Sequence, residues 1–392
     1  MNKPVEILLV GIGGYGNKYL EALTENYDSG KYILKGAVEP YPEKCRYIDF
    51  FNNNNLEIYA TLEDFYEQHS ADLAVISSPI HYHKSHTLQA LENGSNVLCE
   101  KPISATINDL QEMINKRDET NNFVTVGFQW SFTDPILNLK SDIMKGKFGK
   151  PQQLKTMVQW PRSKDYFSRN SWAGRIKDDQ GNFILDSVAN NATAHFLHNM
   201  FFVLGNKRDR SINIKDVEYE LYRANNIENY DTSFLRVRTQ QDTEILFLVS
   251  HAVPHNKGPI FEYKFEKGTV YYGQEGSNEI KAVTDRGQKI NYGNPDEYYF
   301  SKLWMALRAV KEEVTLPCSL EAARTQVECI NLVQNSGDIK QFTGPEINFN
   351  QERNLIWVNK MSDVIDECFA REKLPHELNV PWAVSSGYAS IQ

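Results

Sequence analysis

Apolar positions in the first third of the chain fall into short continuous runs that open into glycine or polar turns, separated by stretches of helical spacing. Val5 to Val10 (VEILLV) runs into glycines, and Asn17 to Thr24 then carries apolar residues at helical spacing, which predicts strand, turn and helix. The alternation continues with a strand over Ile33 to Val38 and a helix over Thr61 to His69, where Thr61 is an N-cap and Asp64 follows three residues later. Further strands are predicted at Leu73 to Ser77, Asn96 to Cys99 and Phe123 to Gly127, and helices at Ser85 to Glu92 and Ile107 to Thr120. Regular alternation of strand and helix predicts a parallel sheet with helices on both faces.

After Gly127 the pattern changes. A helix over Pro135 to Lys147 precedes strand-like runs at Gln153 to Trp160, Val217 to Tyr222, Thr232 to Arg238, Thr243 to Ser250, Ile260 to Phe265 and Thr269 to Tyr272. Short polar turns join most of them, which predicts a mostly antiparallel open sheet. Helices are expected at Tyr298 to Val314, Ser319 to Gln334 and Glu352 to Glu372. The fold class is therefore α/β: a dinucleotide-binding domain of the Rossmann type over residues 1–127, then an α+β domain over residues 128–392 for substrate binding and oligomerisation.

Composition narrows the function classes. The 392 residues carry 42 basic and 51 acidic side chains, a net charge of −9, which disfavours nucleic acid as a partner. No run approaches the apolar length of a membrane span, and the start, Met1 to Pro4 followed by a short apolar stretch holding Glu6, does not fit a secretory signal. Five scattered cysteines with no CxxC fit free thiols in a reducing compartment, so a cytoplasmic protein is expected.

Gly11-Ile12-Gly13-Gly14-Tyr15-Gly16 fits G-x-G-x-x-G between a strand and a helix. Glycines there permit a tight turn, close approach of backbone to a pyrophosphate and close helix–strand packing, while the helix N-terminus offers a positive dipole end. Glu39, at the end of the second strand, is placed to accept hydrogen bonds from ribose hydroxyls. A carboxylate there disfavours a 2′-phosphate, so NAD is expected ahead of NADP, with Lys44 and Arg46 nearby.

Cys99-Glu100-Lys101-Pro102 ends a later parallel strand, where ligands of such sheets bind. A lysine there is able to donate to a substrate oxygen or exchange a proton. The glycine motif, Ser78-Pro79 through His83, and Glu100-Lys101-Pro102 resemble, in order and spacing, the glucose-fructose oxidoreductase, inositol 2-dehydrogenase and rhizopine-catabolism (Gfo/Idh/MocA) family. The resemblance extends into the second half, where His195, ten residues before Gly205, matches the family's catalytic histidine. Asn191 stands where the family usually has Asp, with Asp186 five residues earlier, and Phe128-Gln129-Trp130-Ser131-Phe132 lacks the Arg common there.

The resemblance implies an NAD(P)-dependent oxidoreductase that moves hydride between nicotinamide and a secondary alcohol of a sugar, glycoside or cyclitol. Lys101 and His195 would form the catalytic pair, their roles exchangeable, with Asn191 as third member. The expected cofactor set is Gly11, Gly13, Gly14, Tyr15, Gly16, Glu39, Ser78, Pro79, His83, Glu100 and Lys101. Substrate contacts are expected from Gln129, Trp130, Arg162, Tyr166, Trp172, Asp186 and His198; aromatic and Arg-rich stretches suit hydroxylated or carboxylated ligands. His81, His83 and His86 lie around Lys84 with no acidic or Cys ligand nearby, so no metal site is expected. A homodimer or homotetramer is expected. Two other functions stay open: an NAD-dependent glycoside hydrolase acting through transient oxidation, and a non-catalytic NAD or metabolite sensor.

Overall fold

Strand β1 (Val5–Val10) is buried at five of its six positions, the pattern of a central strand covered on both faces. In the computed structural model, which describes residues 3–26, 28, 30–312 and 314–391, β1 sits at the middle of a six-stranded sheet. Its companions are β2 (Tyr32–Val38), β3 (Ile58–Tyr59), β4 (Leu73–Ile76), β5 (Asn96–Cys99) and β6 (Val124–Val126), in the order β3-β2-β1-β4-β5-β6. Every pairing is parallel. Order reverses between β1 and β4, so the crevice at their carboxyl ends is the switch point where such sheets bind ligand.

Local chemistry explains the connections. Helix α1 (Gly16–Glu25) follows the glycine loop, and its buried face, including Tyr19, Leu20 and Leu23, packs into the core with Ile7, Leu9 and Val75. The Thr61 capping box forms as expected: the Thr61 hydroxyl accepts from Asp64 N–H at 3.1 Å while the Asp64 carboxylate accepts from Thr61 N–H at 3.2 Å.

The chain divides into two compact units, residues 1–132 with 298–324, and residues 133–297 with 325–392. Where the sequence reading assigns all of 128–392 to one domain, residues 298–324 pack in the first unit. The cause is apolar: Leu303, Ala306 and Leu307 of the Ser301–Lys311 helix join the core formed by Leu9, Tyr19 and Leu98. The expected helix over Tyr298 to Val314 includes Glu313, which lies outside the described residues.

The second unit is built on a ten-stranded sheet in which most neighbours are antiparallel. Its centre is Pro151–Gln159, which pairs antiparallel with Lys257–Phe265 and parallel with Glu244–Ser250. The helix Ala194–Val203 is buried along its whole length except at His195. The sequence reading overruns at Glu352 to Glu372: Leu355–Val358 is a strand paired with Ile347–Asn350, and the helix begins only at Met361. Asn354 and Lys360 flank that strand in the left-handed region, with φ of 46° and 59°, which stops a helix from running through. Ile280–Thr284 and Lys289–Gly293 are strands that the apolar pattern does not announce, because they lie toward the sheet's edge and are largely uncovered.

Candidate active site

The glycine loop after β1 is dictated by space. Gly11 has a φ of 84°, and a Cβ there would lie 2.8 Å from the Ser78 nitrogen. A Cβ on Gly16 would sit 1.9 Å from the Gly11 oxygen, so α1 approaches β1 only because that position has no side chain. Gly14 is exposed, with nothing within 4 Å of where its Cβ would point. The loop thus has two glycines required by packing and one whose bare backbone faces open space at the start of a helix, the arrangement that admits a pyrophosphate.

Glu39 directly follows β2 beside this loop. Its Oε2 accepts from Ile12 N–H at 3.0 Å and from Gly13 N–H at 2.9 Å, and its Oε1 accepts from Tyr41 N–H at 3.1 Å. The carboxylate therefore fixes the loop and stays half-buried at the crevice, where a ribose diol would meet it. An adenine dinucleotide fits these residues: Gly13 to Gly16 would take the pyrophosphate and Glu39 the adenosine ribose.

The Glu100-Lys101-Pro102 turn leaves β5 at the same sheet edge, with a cis Lys101–Pro102 peptide. Glu100 is 7% exposed and Lys101 half-buried. Tyr19 donates to Glu100 Oε1 at 2.6 Å, and Lys101 N–H donates to Oε2 at 3.2 Å. Lys302, with no exposed surface on its side chain, forms a salt bridge with Glu100. It also donates to Gly127 O and to the Tyr15 hydroxyl, both at 3.3 Å. Burial alone would raise the Glu100 carboxyl, but Lys302 beside it holds it below the ordinary value. Glu100 is thus a buried anchor for the turn, whereas the sequence reading counts it as a cofactor contact.

Of the other expected cofactor residues, His83 is 1% exposed and acts as a brace. Its Nδ1 lies 2.9 Å from Pro102 O and its Nε2 2.8 Å from Ser78 O, so the ring packs between the turn after β4 and the turn after β5, and in its neutral form it donates to one of the two carbonyls. Burial pushes its imidazole below the ordinary value. Ser78 and Pro79 line the crevice edge, and the Ser78 hydroxyl meets His86 Nδ1 at 3.0 Å. Trp130 is 4% exposed and packs in the core, while Gln129 beside it is half-buried.

The remaining expected residues belong to the second unit. Asn191 donates from Nδ2 to Asp186 Oδ1 at 2.6 Å, and Asp186 Oδ2 accepts from Gly174 N–H, also at 2.6 Å. Asp186 is therefore a buried brace. His195 follows one turn later and is the partly exposed residue of an otherwise buried helix. His198 is 1% exposed and stacks on Phe202; burial, with Lys140 nearby, lowers it to about 3. It packs among core side chains.

Arg162 and Tyr166 do come together. The Arg162 guanidinium carbon lies 4.8 Å from the Tyr166 ring centre, and Arg169 stacks 3.7 Å from that ring and 5.3 Å from Trp172. Tyr166, Asp186, Ser187, Tyr230 and His251 line a small cleft. His251 donates from Nδ1 to Trp160 O at 2.7 Å, and burial, then Arg162, lowers it to about 3. Sequence reasoning assigned no role to His251, Tyr230 or Lys302. Only Lys302 carried a signal, as a charge on the apolar face of a helix.

Among the described residues no helix is long and apolar enough to cross a membrane. All five cysteines are buried thiols. A family model described as oxidoreductase family, NAD-binding Rossmann fold (GFO_IDH_MocA) matches residues 5–128. Curated relatives include inositol 2-dehydrogenase from Ralstonia nicotianae, 23% identical over 38% of this chain and 44% of that protein. Glucose-6-phosphate 3-dehydrogenase from Bacillus subtilis is 24% identical over 44% of this chain and 45% of its own. The chain thus spans less than half the length of these curated relatives. The crystal structure of the WlbA dehydrogenase from Bordetella pertussis with NADH and UDP-GlcNAcA shares the fold, with TM-score 0.68 and 18% identity over 83% of this chain and 93% of that one. The glycine loop and the strand order agree with that match, and residues 5–128 are similar to the NAD-binding Rossmann domain of the Gfo/Idh/MocA oxidoreductases.

Proposed function

We propose that the protein is an NAD-dependent oxidoreductase acting on a secondary alcohol of a sugar, glycoside or cyclitol, with Lys101 and His195 as the catalytic pair. The observation that carries this reading is the first unit's sheet edge, where the Glu39-anchored glycine loop and the Glu100-anchored Lys101 turn stand at the carboxyl ends of β1 and β5. Relatives named inositol 2-dehydrogenase and glucose-6-phosphate 3-dehydrogenase support the substrate class.

When bound, nicotinamide supplies the hydride chemistry. The chain's own residues do the rest. Gly13 to Gly16 and Glu39 bind and orient the dinucleotide. Lys101, on a turn held at Glu100 and braced by His83, hydrogen-bonds the reacting hydroxyl and stabilises its growing negative charge. His195, the partly exposed residue on its helix, takes the hydroxyl proton, and Asn191, held by Asp186, stands one turn before it. Arg162, Tyr166 and Trp172 offer guanidinium and ring faces for sugar hydroxyls or a carboxylate.

The test is a screen of sugars, glycosides and cyclitols followed by NADH absorbance, with mass spectrometry of the products. Stoichiometric NADH with an oxidised sugar supports the reading. Glycoside cleavage without added NAD, or no turnover with any member while NAD binds, contradicts it.

A further inference from the structure

Lys302 stands at the centre of a buried polar cluster. An ammonium has three donors, and those of Lys302 meet the Glu100 carboxylate, Gly127 O and the Tyr15 hydroxyl. The space is made for it: a Cβ on Gly127 would lie 2.8 Å from Glu100 Oε1. Replacing a buried ion pair by apolar residues of similar volume is often neutral or stabilising, so stability alone does not account for placing two charges here.

The cation next to Glu100 in the chain is Lys101, whose backbone N–H donates to Glu100 Oε2 at 3.2 Å. A carboxylate without compensation would hold the Lys101 ammonium, raise its affinity for the proton and turn it from the crevice. We propose that Lys302 compensates the charge of Glu100 and thereby keeps Lys101 from being captured as its counter-ion, which makes Lys302 a positioning residue. Its consequence for turnover rests on the reading of Lys101 as catalytic; the charge relationship itself does not. Lys302 cannot touch substrate, since its side chain has no exposed surface. Through the Tyr15 hydroxyl the same ammonium touches the glycine loop, so one buried charge holds both loops at this sheet edge.

The experiment is competitive labelling of the full chain with trace acetic anhydride from about pH 7 to about pH 11, reading the Lys101 peptide by mass spectrometry. Thermal melts and NADH titration accompany every variant as checks of folding. In K302M the labelling midpoint of Lys101 should rise by about one pH unit or more, roughly a tenfold loss of labelling at a fixed pH below it. K302R, which keeps the charge, should stay near the unaltered chain, and K302M/E100Q, which removes both charges, should return to it. E100Q alone leaves an uncompensated ammonium and should move the midpoint down, so the test survives if K302M fails to fold. An unmoved Lys101 midpoint in both K302M and E100Q, or a double variant shifted as far as K302M, overturns the proposal. Turnover of K101A with any substrate from the screen is read separately. An active K101A sinks the catalytic role of Lys101, whereas an inactive K101A beside an unmoved midpoint sinks only the role given to Lys302.

Discussion

Asn191 donates to Asp186 at 2.6 Å, so the amide that stands where the family resemblance leads one to expect an acid is itself held by an acid five residues earlier. The carboxylate has moved one step back from the histidine's helix. Asn191→Asp would place two carboxylates at hydrogen-bond distance, and they would share a proton in the folded state. The folded pair then titrates above the unfolded value of about 3.9, so stability falls as pH rises through that window, by about 1.4 kcal/mol for each pH unit separating the folded midpoint from the unfolded one. Thermal melts should find this variant close to the unaltered chain near pH 4 and clearly below it at pH 7. Equal melting at both would contradict the pairing.

Glu39 holds Gly13 and Ile12 through charge-assisted hydrogen bonds at 2.9 and 3.0 Å. Removing the charge in Glu39→Gln should weaken NAD binding by roughly tenfold or more, since such bonds contribute about 1.5–3 kcal/mol. NADP should be affected less, because the repulsion of its 2′-phosphate disappears with the charge. Parallel titrations of NADH and NADPH by fluorescence measure both effects.

Space separates two glycines of one loop. Gly16→Ala forces a methyl to 1.9 Å from the Gly11 oxygen and should lower stability by about 1–3 kcal/mol with loss of cofactor binding. Gly14→Ala meets nothing within 4 Å and should melt like the unaltered chain. Differential scanning calorimetry of the pair distinguishes a packing requirement from a general intolerance of side chains.

His198 is held neutral, its value lowered to about 3 by burial first and Lys140 second. Its contribution is present above the unfolded value of about 6.5 and is lost as pH falls from there toward 3, because the unfolded ring gains a proton that the folded one does not. His198→Leu should therefore flatten the decline in melting temperature between about pH 6.5 and pH 4. An unchanged slope would place the ring in contact with water.

The cofactor half of this site was legible because its chemistry is local. Gly11 to Gly16, Glu39 and Glu100 to Pro102 sit at the ends of apolar runs, so strand position and function coincide in the sequence. Glu100's partner was not legible: Lys302 comes from a helix some two hundred residues away, and Tyr19 looked like one more apolar position on α1. The Asp186–Asn191 bond was hidden because the turn Val188–Ala192 is wider than an α-helix, which no period of apolar residues reports. Trp130 and His198 read as ligand residues by type, and their burial was not legible, since it is set by tertiary packing that sequence spacing near a motif does not encode.

The most direct test of the central claim is steady-state turnover of Lys101→Ala and His195→Ala on a substrate from the screen, beside NADH titration of the same samples. Each variant should lose kcat by about 10²- to 10⁴-fold, with NADH affinity close to that of the unaltered chain. Turnover retained in either variant would contradict the assignment of that residue to the catalytic pair.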